Sequence, residues 1–172
     1  VDRFSSWVAN AFYDSFNGKV NTRGGQFVAG FYSTTTHYSF GTQTGALASV
    51  RSKGKPFTSG IAPSNGCDKK GPTALFNSIT AIDYVRAHNG VNGNAKFDAA
   101  TLKGERGAML LERLLLTFLK KGGMQIQLNV LDAKMLEDAK VNPENYSWLI
   151  VRVSGYSAYF NDLSPAMKDE II

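Results

Sequence analysis

The sequence predicts an α/β fold, because segments with strand periodicity and segments with helix periodicity alternate along it. The most distinct helix pattern, from about residue 102 to 121, leads through a Gly-Gly pair into a strand pattern, and another strand pattern follows near residue 150. The chain has 172 residues, of which 43% are hydrophobic and 19% charged. This length and composition are typical of a packed globular protein with a sizeable core.

The first 71 residues are predicted to form a helix, an extended segment and a long loop. Residues 3–16 repeat apolar side chains every three or four positions, as a helix does. Residues 26–40 are rich in β-branched and aromatic side chains and favour extended structure. The stretch 41–71 is dense in glycine, serine and proline, and loops of that length are often functional. The apolar residues of the helix are Phe4, Trp7, Val8, Ala11, Phe12 and Phe16.

Two helices are predicted in the middle of the chain. Pro72 suits the first turn of a helix that runs to about Tyr84, with Leu75, Ile79 and Ile82 on one side. The helix over residues 102–121 has a polar stripe and an apolar face opposite it. That face consists of Ala108, Leu111, Leu115, Phe118 and Leu119.

Two strands and a capped helix are predicted in the last third. Asp132 is expected to cap a helix that runs to about Val141, and Pro143 would end it. Residues 149–153 form an apolar run typical of a buried strand. Residues 124–130 alternate as a half-buried strand does. Its apolar positions are Met124, Ile126, Leu128 and Val130, and its polar positions are Gln125, Gln127 and Asn129.

The net charge of +5 does not indicate a nucleic-acid-binding protein. Glycine-rich loop segments carry the basic residues Arg51, Lys53, Lys55, Lys69 and Lys70, and loop amides with lysines could bind phosphate there. A solvated loop or a subunit contact explains such sparse charge more simply. No recognised nucleic-acid motif accompanies these residues, so no nucleic-acid partner is expected.

The sequence favours a cytoplasmic protein without a membrane partner. No apolar run approaches the length of a membrane span, and the N-terminus lacks a signal-peptide pattern. The chain begins with Val1, which leaves the start of the native protein open. A single cysteine excludes an internal disulfide and fits a reducing compartment.

The common catalytic arrangements are not indicated. His37 and His88 are separated by loops and lack cysteine or clustered carboxylate partners, so no metal site is expected. Residues 90–93 lack the lysine and the spacing of a phosphate-binding loop. No general acid or base is identified, and Cys67 is interpreted as a small loop residue rather than a catalytic thiol.

The most informative segment, residues 149–157, has the sequence Leu-Ile-Val-Arg-Val-Ser-Gly-Tyr-Ser. Its local pattern alone indicates a glycine turn after a buried strand. It also resembles the Arg-Val-x-Gly-Tyr motif of the glycyl radical enzymes, in which the glycine stores an unpaired electron on its α-carbon. Delocalisation of that electron requires a planar centre, and glycine flattens with the least steric conflict because it lacks a Cβ.

The resemblance continues through most of the chain. Several segments before and after the motif are similar to landmarks of the same family. The sequence is therefore identified as a member of the pyruvate formate-lyase family of glycyl radical enzymes, from about residue 20 to its end. The matching segments are 23–25, 71–74, 122–130, 142–146, 159–163 and 169–172.

This resemblance implies a fold and a set of site residues. The family folds as a ten-stranded α/β barrel with the glycyl radical loop threaded inside, opposite a cysteine loop. Residues 1–100 would be the C-terminal part of the barrel, and residues 101–172 the glycyl radical domain, incomplete at its C-terminal end. Gly155 would carry the radical in a buried place, since oxygen attacks the radical and cleaves the chain there. The motif residues around it are Arg152, Val153, Ser154 and Tyr156.

The resemblance also implies the chemistry and the partners. A separate activating enzyme, which carries an iron–sulfur cluster and uses S-adenosylmethionine, removes one hydrogen atom from the glycine. The chain itself would bind no cofactor or metal. The radical then passes to a cysteine, whose thiyl radical takes hydrogen from the substrate. That cysteine would lie upstream of this chain, in the rest of the barrel, and the full enzyme is expected to be a homo-oligomer.

The reaction stays open at this stage. The family includes lyases that cleave or form carbon–carbon bonds, dehydratases, decarboxylases and enzymes that add hydrocarbons to fumarate. Its barrel strand after Arg-Gly-Gly approaches the substrate, so Val28, Ala29 and Phe31 are candidate substrate-lining residues. Their lack of charge favours a partly apolar substrate, as in fumarate addition, although simple packing also explains them.

Two other hypotheses stay open beside a radical-bearing part of a complete enzyme. The chain could be a stand-alone glycyl radical subunit that binds and completes a cysteine-bearing partner. It could also be a radical-free binding or structural domain that uses the loop around Arg51 and Lys55.

Overall fold

Six α-helices and four short strands occupy the described residues of the computed structural model, which are 2–48, 51–64, 66–153 and 155–172. The helices are α1 (Asp2–Phe16), α2 (Thr36–Gln43), α3 (Pro72–Ile79), α4 (Gly104–Lys120), α5 (Ala133–Val141) and α6 (Pro165–Ile171). The strands are β1 (Asn94–Asp98), β2 (Gln127–Leu131), β3 (Ile150–Arg152) and β4 (Ser157–Tyr159). Short 3₁₀ helices lie at Tyr84–Arg86, Pro143–Tyr146 and Phe160–Asp162.

The strands form two separate pairs. β1 and β2 are parallel, in register from Asn94 opposite Gln127 to Asp98 opposite Leu131, and α4 connects them as a βαβ crossover does. β3 and β4 are antiparallel, with Arg152 opposite Ser157, and residues 153–156 connect them. The second pair is therefore a hairpin whose turn contains position 155.

Two hydrophobic clusters flank β2, one on each side. The first joins α1, α3, α4 and β1 through buried residues such as Tyr13, Phe76 and Phe118. The second lies under the hairpin. Leu128 packs against the first cluster and Leu131 against the second, so β2 connects them. The second cluster consists of Leu136, Ala139, Leu149, Val151, Val153, Phe160, Leu163 and Ile171. The predicted division of the chain into two domains at residue 100 stays a prediction.

The helix predicted at the N-terminus is confirmed, but the first part of its apolar stripe does not face this chain's core. Phe4 and Trp7 are 67% and 65% exposed. The helix is anchored instead by Ala9 and Tyr13, whose hydroxyl donates to the Asp83 carbonyl oxygen at 2.8 Å. Burial, followed by the charge of Asp83, raises the pKa of Tyr13. The described part of the chain thus presents a broad aromatic surface.

The extended prediction for residues 26–40 is wrong in its second half, where α2 begins at Thr36. The Ser33 carbonyl oxygen accepts from the Thr36 N–H at 2.9 Å, which starts the first turn. His37 is buried, and its Nδ1 lies 3.2 Å from the Ser33 Oγ. These contacts outweigh the weak strand preference of the β-branched residues.

The helix predicted from Pro72 begins where expected and ends early, at Ile79. The Thr80 hydroxyl donates to the Phe76 carbonyl oxygen at 2.8 Å and competes with continuation of the helix. The Tyr84 hydroxyl donates to the Ile79 carbonyl oxygen at 2.8 Å, and burial raises its pKa. The capping role of Asp132 is confirmed, since its carboxylate accepts from the Lys134 N–H at 2.8 Å.

Two further apolar faces differ from the sequence prediction. In α4, Phe118 is buried, but Leu119 is 57% exposed. In β2, the polar Asn129 is buried and Val130 is 41% exposed. The apolar alternation predicted for residues 124–130 therefore marks only one of the two covered faces of β2, because the hairpin covers its polar side. No helix within the described ranges is long and apolar enough to span a membrane.

Candidate functional site

The turn between β3 and β4 requires glycine at position 155. The backbone of Gly155 has φ +96°, which lies in the region that side-chain-bearing residues rarely adopt. Its N–H donates to the Val153 carbonyl oxygen at 2.8 Å, and the Val153 N–H donates to the Tyr156 carbonyl oxygen at 2.9 Å. The structure thus places three of the predicted motif residues in one tight turn. Ser154 lies outside the described residues.

Gly155 is exposed in this chain, which does not meet the expectation that it is buried. The apolar run predicted to bury it packs beneath the hairpin: Leu149, Val151 and Val153 are buried, whereas Ile150 is 54% exposed. The turn extends beyond the strands that carry it, so these side chains cannot enclose the glycine.

One buried polar residue, which follows Val91 of the first cluster in sequence, reaches the turn. Asn92 is buried, and its Nδ2 lies 3.3 Å from the position that a Cβ on Gly155 would occupy. The Asn92 N–H donates to the Phe31 carbonyl oxygen at 2.9 Å, and its carbonyl oxygen accepts from the Ile61 N–H at 2.9 Å. The backbone of Asn92 is therefore held from two sides, and its side chain supports the turn.

A chain of polar side chains connects Asn92 with Arg152. The Gln127 Nε2 donates to the Asn92 Oδ1 at 3.1 Å, and the Gln127 Oε1 accepts from the Arg152 Nε at 3.1 Å. The Arg152 Nη1 then donates to the Ser157 Oγ at 3.0 Å, across the hairpin. The guanidinium of the motif arginine is thus hydrogen-bonded to β2 through Gln127 and, across the turn that contains Gly155, to Ser157.

A second connection runs through the backbone of Arg152. The Asn129 Nδ2 donates to the Arg152 carbonyl oxygen at 2.9 Å, and the Arg152 N–H donates to the Asn129 Oδ1 at 3.2 Å. Sequence reasoning missed the roles of Asn92, Gln127 and Asn129. The only local signal was the regular spacing of the two polar residues on one face of a predicted strand.

The three candidate substrate-lining residues lie in different environments. Ala29 is buried in the first cluster, and Val28 is 41% exposed. The Phe31 ring packs at 5.5 Å from the Tyr13 ring, and the main chain of Phe31 bonds Asn92. Phe31 is therefore the member of the set that contacts the support of the turn.

A cavity of about 330 Å³ lies beside the hairpin. Its walls combine apolar and charged groups, and they include Arg152 and Val153 but not Gly155. The remaining wall residues include His37, Lys96, Asp169 and Ile171.

The long loop is organised around Arg51 rather than open for an anion. The Arg51 guanidinium donates to the carbonyl oxygens of Gly41 and Thr44 at 3.1 and 3.2 Å, and also to those of Gly45 and Lys55. It also lies over the Phe57 ring, 4.7 Å from its centre. These bonds weaken the phosphate-binding hypothesis for this loop. Cys67 is exposed farther along the loop region.

Comparisons with known proteins agree with the motif and the fold. A family model described as "Glycine radical" matches residues 57–161. Trans-4-hydroxy-L-proline dehydratase of Clostridioides difficile is 36% identical over 172 residues, which are 100% of this chain and 22% of that protein. Indoleacetate decarboxylase of Tractidigestivibacter scatoligenes is 35% identical over 162 residues, 93% of this chain and 18% of the decarboxylase.

Solved structures show the same likeness. The glycerol-bound B12-independent glycerol dehydratase from Clostridium butyricum matches with a TM-score of 0.94 and 40% identity, over 99% of this chain and 22% of that chain. A glycyl radical enzyme from Archaeoglobus fulgidus matches with a TM-score of 0.93 and 37% identity, over 99% of this chain and 22% of that one.

The chain belongs to the glycyl radical enzyme family and corresponds to its C-terminal glycyl radical domain. The expected family and the mixed α/β fold of the C-terminal part of the barrel are confirmed. The chain spans about a fifth of the length of these relatives, 22% of the hydroxyproline dehydratase and 18% of the decarboxylase.

Proposed function

We propose that Gly155 carries the radical of a glycyl radical enzyme and that this chain is the radical-bearing part of it. The observation that supports this most directly is the conformation of the turn. Gly155 combines φ +96°, an exposed α-carbon and a place within the matched family region 57–161. An exposed α-carbon is accessible to an activating enzyme before the turn meets the rest of the protein.

The motif residues take distinct parts in this proposal. Arg152 fixes the hairpin through Gln127 and Ser157. Val153 packs in the second cluster and closes the turn with its main chain. Tyr156 is partly exposed beside the glycine, where an activating enzyme can contact it. Ser154 is assigned to the same recognition segment by the sequence motif alone.

The radical chemistry needs two hydrogen-atom transfers. A separate iron–sulfur, S-adenosylmethionine-dependent activating enzyme takes one hydrogen atom from the Gly155 α-carbon, which keeps the unpaired electron. The α-carbon then takes a hydrogen atom from a cysteine thiol, and a thiyl radical remains on that sulfur. The chain's single cysteine, Cys67, is exposed in a loop, so we assign the thiyl cysteine to a part outside this chain.

The whole enzyme is proposed to be a lyase, most specifically a dehydratase. Proteins named as dehydratases of trans-4-hydroxy-L-proline, (2S)-3-sulfopropanediol and glycerol are among its relatives. Each of these names describes loss of water from a hydroxylated small molecule. Decarboxylation is the second candidate, favoured by the indoleacetate decarboxylase. This evidence favours either reaction over the fumarate addition suggested by Val28, Ala29 and Phe31.

The exposed aromatic surface of α1 supports a large partner surface, either the rest of the barrel or a cysteine-bearing partner chain. Phe4, Trp7 and Phe12 remain exposed in the described structure. Large contiguous apolar surfaces of this kind mark contacts with other protein segments. A stand-alone glycyl radical subunit fits the same observation, so it stays the alternative. A cytoplasmic homo-oligomer of the full enzyme remains part of this proposal.

The test uses the full-length protein, activated without oxygen by a competent activating enzyme. Electron paramagnetic resonance should show a doublet from one α-hydrogen, and Gly155→Ala should abolish it. Gly122→Ala is the matched control, because Gly122 also has a positive φ, +88°, and no atom near its Cβ position. A doublet that survives Gly155→Ala, or a wild-type protein without a doublet, would reject the assignment.

The length of the native chain and the size of its assembly distinguish a complete enzyme from a stand-alone glycyl radical subunit. A chain that continues upstream into a cysteine loop identifies a complete enzyme. A separate chain that assembles stably with a cysteine-bearing partner identifies a radical subunit.

A further inference from the structure

Two side-chain amides outside the radical motif lie between the first cluster and the hairpin. Asn92 precedes β1, and Gln127 is the first residue of β2. Both lie close to the motif only because the crossover through α4 sets β2 beside β1. Their positions 35 residues apart give no sequence signal that they act together.

Gln127 joins two groups that otherwise have no direct connection in this network. Its Nε2 donates to Asn92, and its Oε1 accepts from Arg152, each at 3.1 Å. A primary amide offers a donor and an acceptor at one end, which neither a carboxylate nor a thioether does. The Gln127 N–H also donates to the Gly93 carbonyl oxygen at 2.7 Å, so the base of the side chain is fixed.

Asn92 provides a rigid support for one face of Gly155. Its main chain is held between Phe31 and Ile61, and a Cβ on Gly60 would come within 2.0 Å of its carbonyl oxygen. The side-chain Nδ2 faces the side of the Gly155 α-carbon on which an L side chain would lie. Glycine has wide conformational freedom, so a neighbour that restricts it has a direct effect on the turn.

We propose that Asn92 and Gln127 are positioning residues for the radical loop. Gln127 sets the orientation of Asn92 and of Arg152 together, and Asn92 supports one face of the Gly155 α-carbon. The support restricts the turn to conformations in which the α-carbon can become planar when it loses a hydrogen atom. This inference rests on the proposed radical role of Gly155.

The first test measures positioning without any radical. Gln127→Met keeps the length of the side chain and removes both bonds. Gln125→Met is the matched control: the Gln125 side chain also makes a hydrogen bond, its Oε1 accepting from the Gly93 N–H at 2.8 Å, but this bond does not lead to Arg152. In the unactivated full-length protein, amide hydrogen exchange of residues 149–160 should become about 5- to 30-fold faster in Gln127→Met, and not in Gln125→Met. Equal exchange in both variants would overturn the positioning role.

The second test measures the consequence for the radical. Asn92→Asp keeps an acceptor for Gln127 but replaces the amide nitrogen beside Gly155 with an oxygen. Asn89→Asp is its control, because the Asn89 Nδ2 donates to the Tyr32 hydroxyl at 2.7 Å, away from the turn. At equal activating enzyme, Asn92→Asp and Gln127→Met should lower the radical yield about fivefold or more and change the doublet splitting, while Asn89→Asp keeps both.

The outcomes separate this inference from the proposed function. A wild-type doublet and yield in Asn92→Asp and Gln127→Met would overturn the positioning role while Gly155 keeps its own. A wild-type protein without a doublet refutes the radical role of Gly155. The hydrogen-exchange comparison of Gln127→Met with Gln125→Met then still tests whether Gln127 positions the turn. If Gln127→Met does not fold, as circular dichroism would show, the isosteric Asn92→Asp decides the positioning role through the radical yield and the doublet splitting.

Discussion

The side chain of Asn129 pairs with the main chain of Arg152 as a neighbouring strand would. It donates to the Arg152 carbonyl oxygen at 2.9 Å and accepts from the Arg152 N–H at 3.2 Å. The other edge of β3 pairs with β4, where Arg152 lies opposite Ser157. Asn129 therefore joins the parallel pair β1–β2 to the hairpin that contains Gly155.

Asn129→Ala should destabilise the protein more than an ordinary surface substitution. Asn129 is buried, so its removal leaves two main-chain groups of Arg152 without their partners. The expected loss in free energy of unfolding is about 1–3 kcal/mol, measured by urea unfolding. Asn145→Ala, at an exposed asparagine, is the control and should stay within about 0.5 kcal/mol of the wild type. Equal effects of the two variants would contradict the bridging role of Asn129.

Gly60→Ala should cost more than Gly18→Ala, although both glycines have positive φ, +57° and +76°. A Cβ on Gly18 meets no atom within 4 Å, so the expected cost there is the backbone strain of about 1–2 kcal/mol. A Cβ on Gly60 would lie 2.0 Å from the Asn92 carbonyl oxygen, and the overlap should add roughly 1–3 kcal/mol. The free energies of unfolding of the two variants are compared by chemical unfolding. Similar losses would show that the Asn92 main chain shifts to accommodate the added Cβ.

Arg51→Lys should loosen the long loop. The guanidinium binds several loop carbonyl oxygens and lies over Phe57, and an ammonium group cannot reproduce that planar set of donors. Limited proteolysis should therefore cut residues 44–60 faster in Arg51→Lys than in the wild type. Lys53→Ala, at an exposed position of the same loop, should be cut at the wild-type rate. Unchanged cutting of Arg51→Lys would mean that the loop is held by other contacts.

Stability should depend on pH through Asp138. Hydrogen bonds from Tyr146 and then from Asn142 hold the pKa of Asp138 below its ordinary value. A group whose pKa is lowered by folding stabilises the folded state above its unfolded pKa, about 4 for aspartate, and this contribution is lost as the pH falls through the folded value. Tyr146→Phe removes the larger cause.

The measurement is the free energy of unfolding from pH 6 down to pH 2. Tyr146→Phe should lose less stability over this interval than the wild type, whereas Tyr159→Phe, at an exposed tyrosine, should follow the wild-type curve. A Tyr146→Phe curve parallel to that of the wild type would show that the hydrogen bond to Asp138 does not contribute to the loss of stability in acid.

Elements with strong local signals were predictable from the sequence. The periodicity of residues 102–121 gave α4, and the capping carboxylate of Asp132 gave the start of α5. The branched run before Gly155 gave β3. In each case the residues that decide the structure lie within a few positions of one another, so a single sequence contains the information.

Features that depend on distant contacts were not predictable. The start of α2 depends on His37 packing beside Ser33, and β1 was not predicted at all. The spacing of apolar residues predicted α1 but not what its aromatic side contacts, because surface contacts with other protein segments produce the same periodicity as a core face. Asn92 was considered only as part of a missing phosphate loop, because nothing near it in sequence indicates a turn 63 positions away.

The position of chain cleavage by oxygen tests the central claim most directly. The full-length protein is activated without oxygen and then exposed to air, and the masses of the fragments are determined. An unpaired electron on the α-carbon of Gly155 predicts one cut at that residue, seen only after activation. An intact chain after proven activation, or a cut at another glycine such as Gly122, would contradict the assignment.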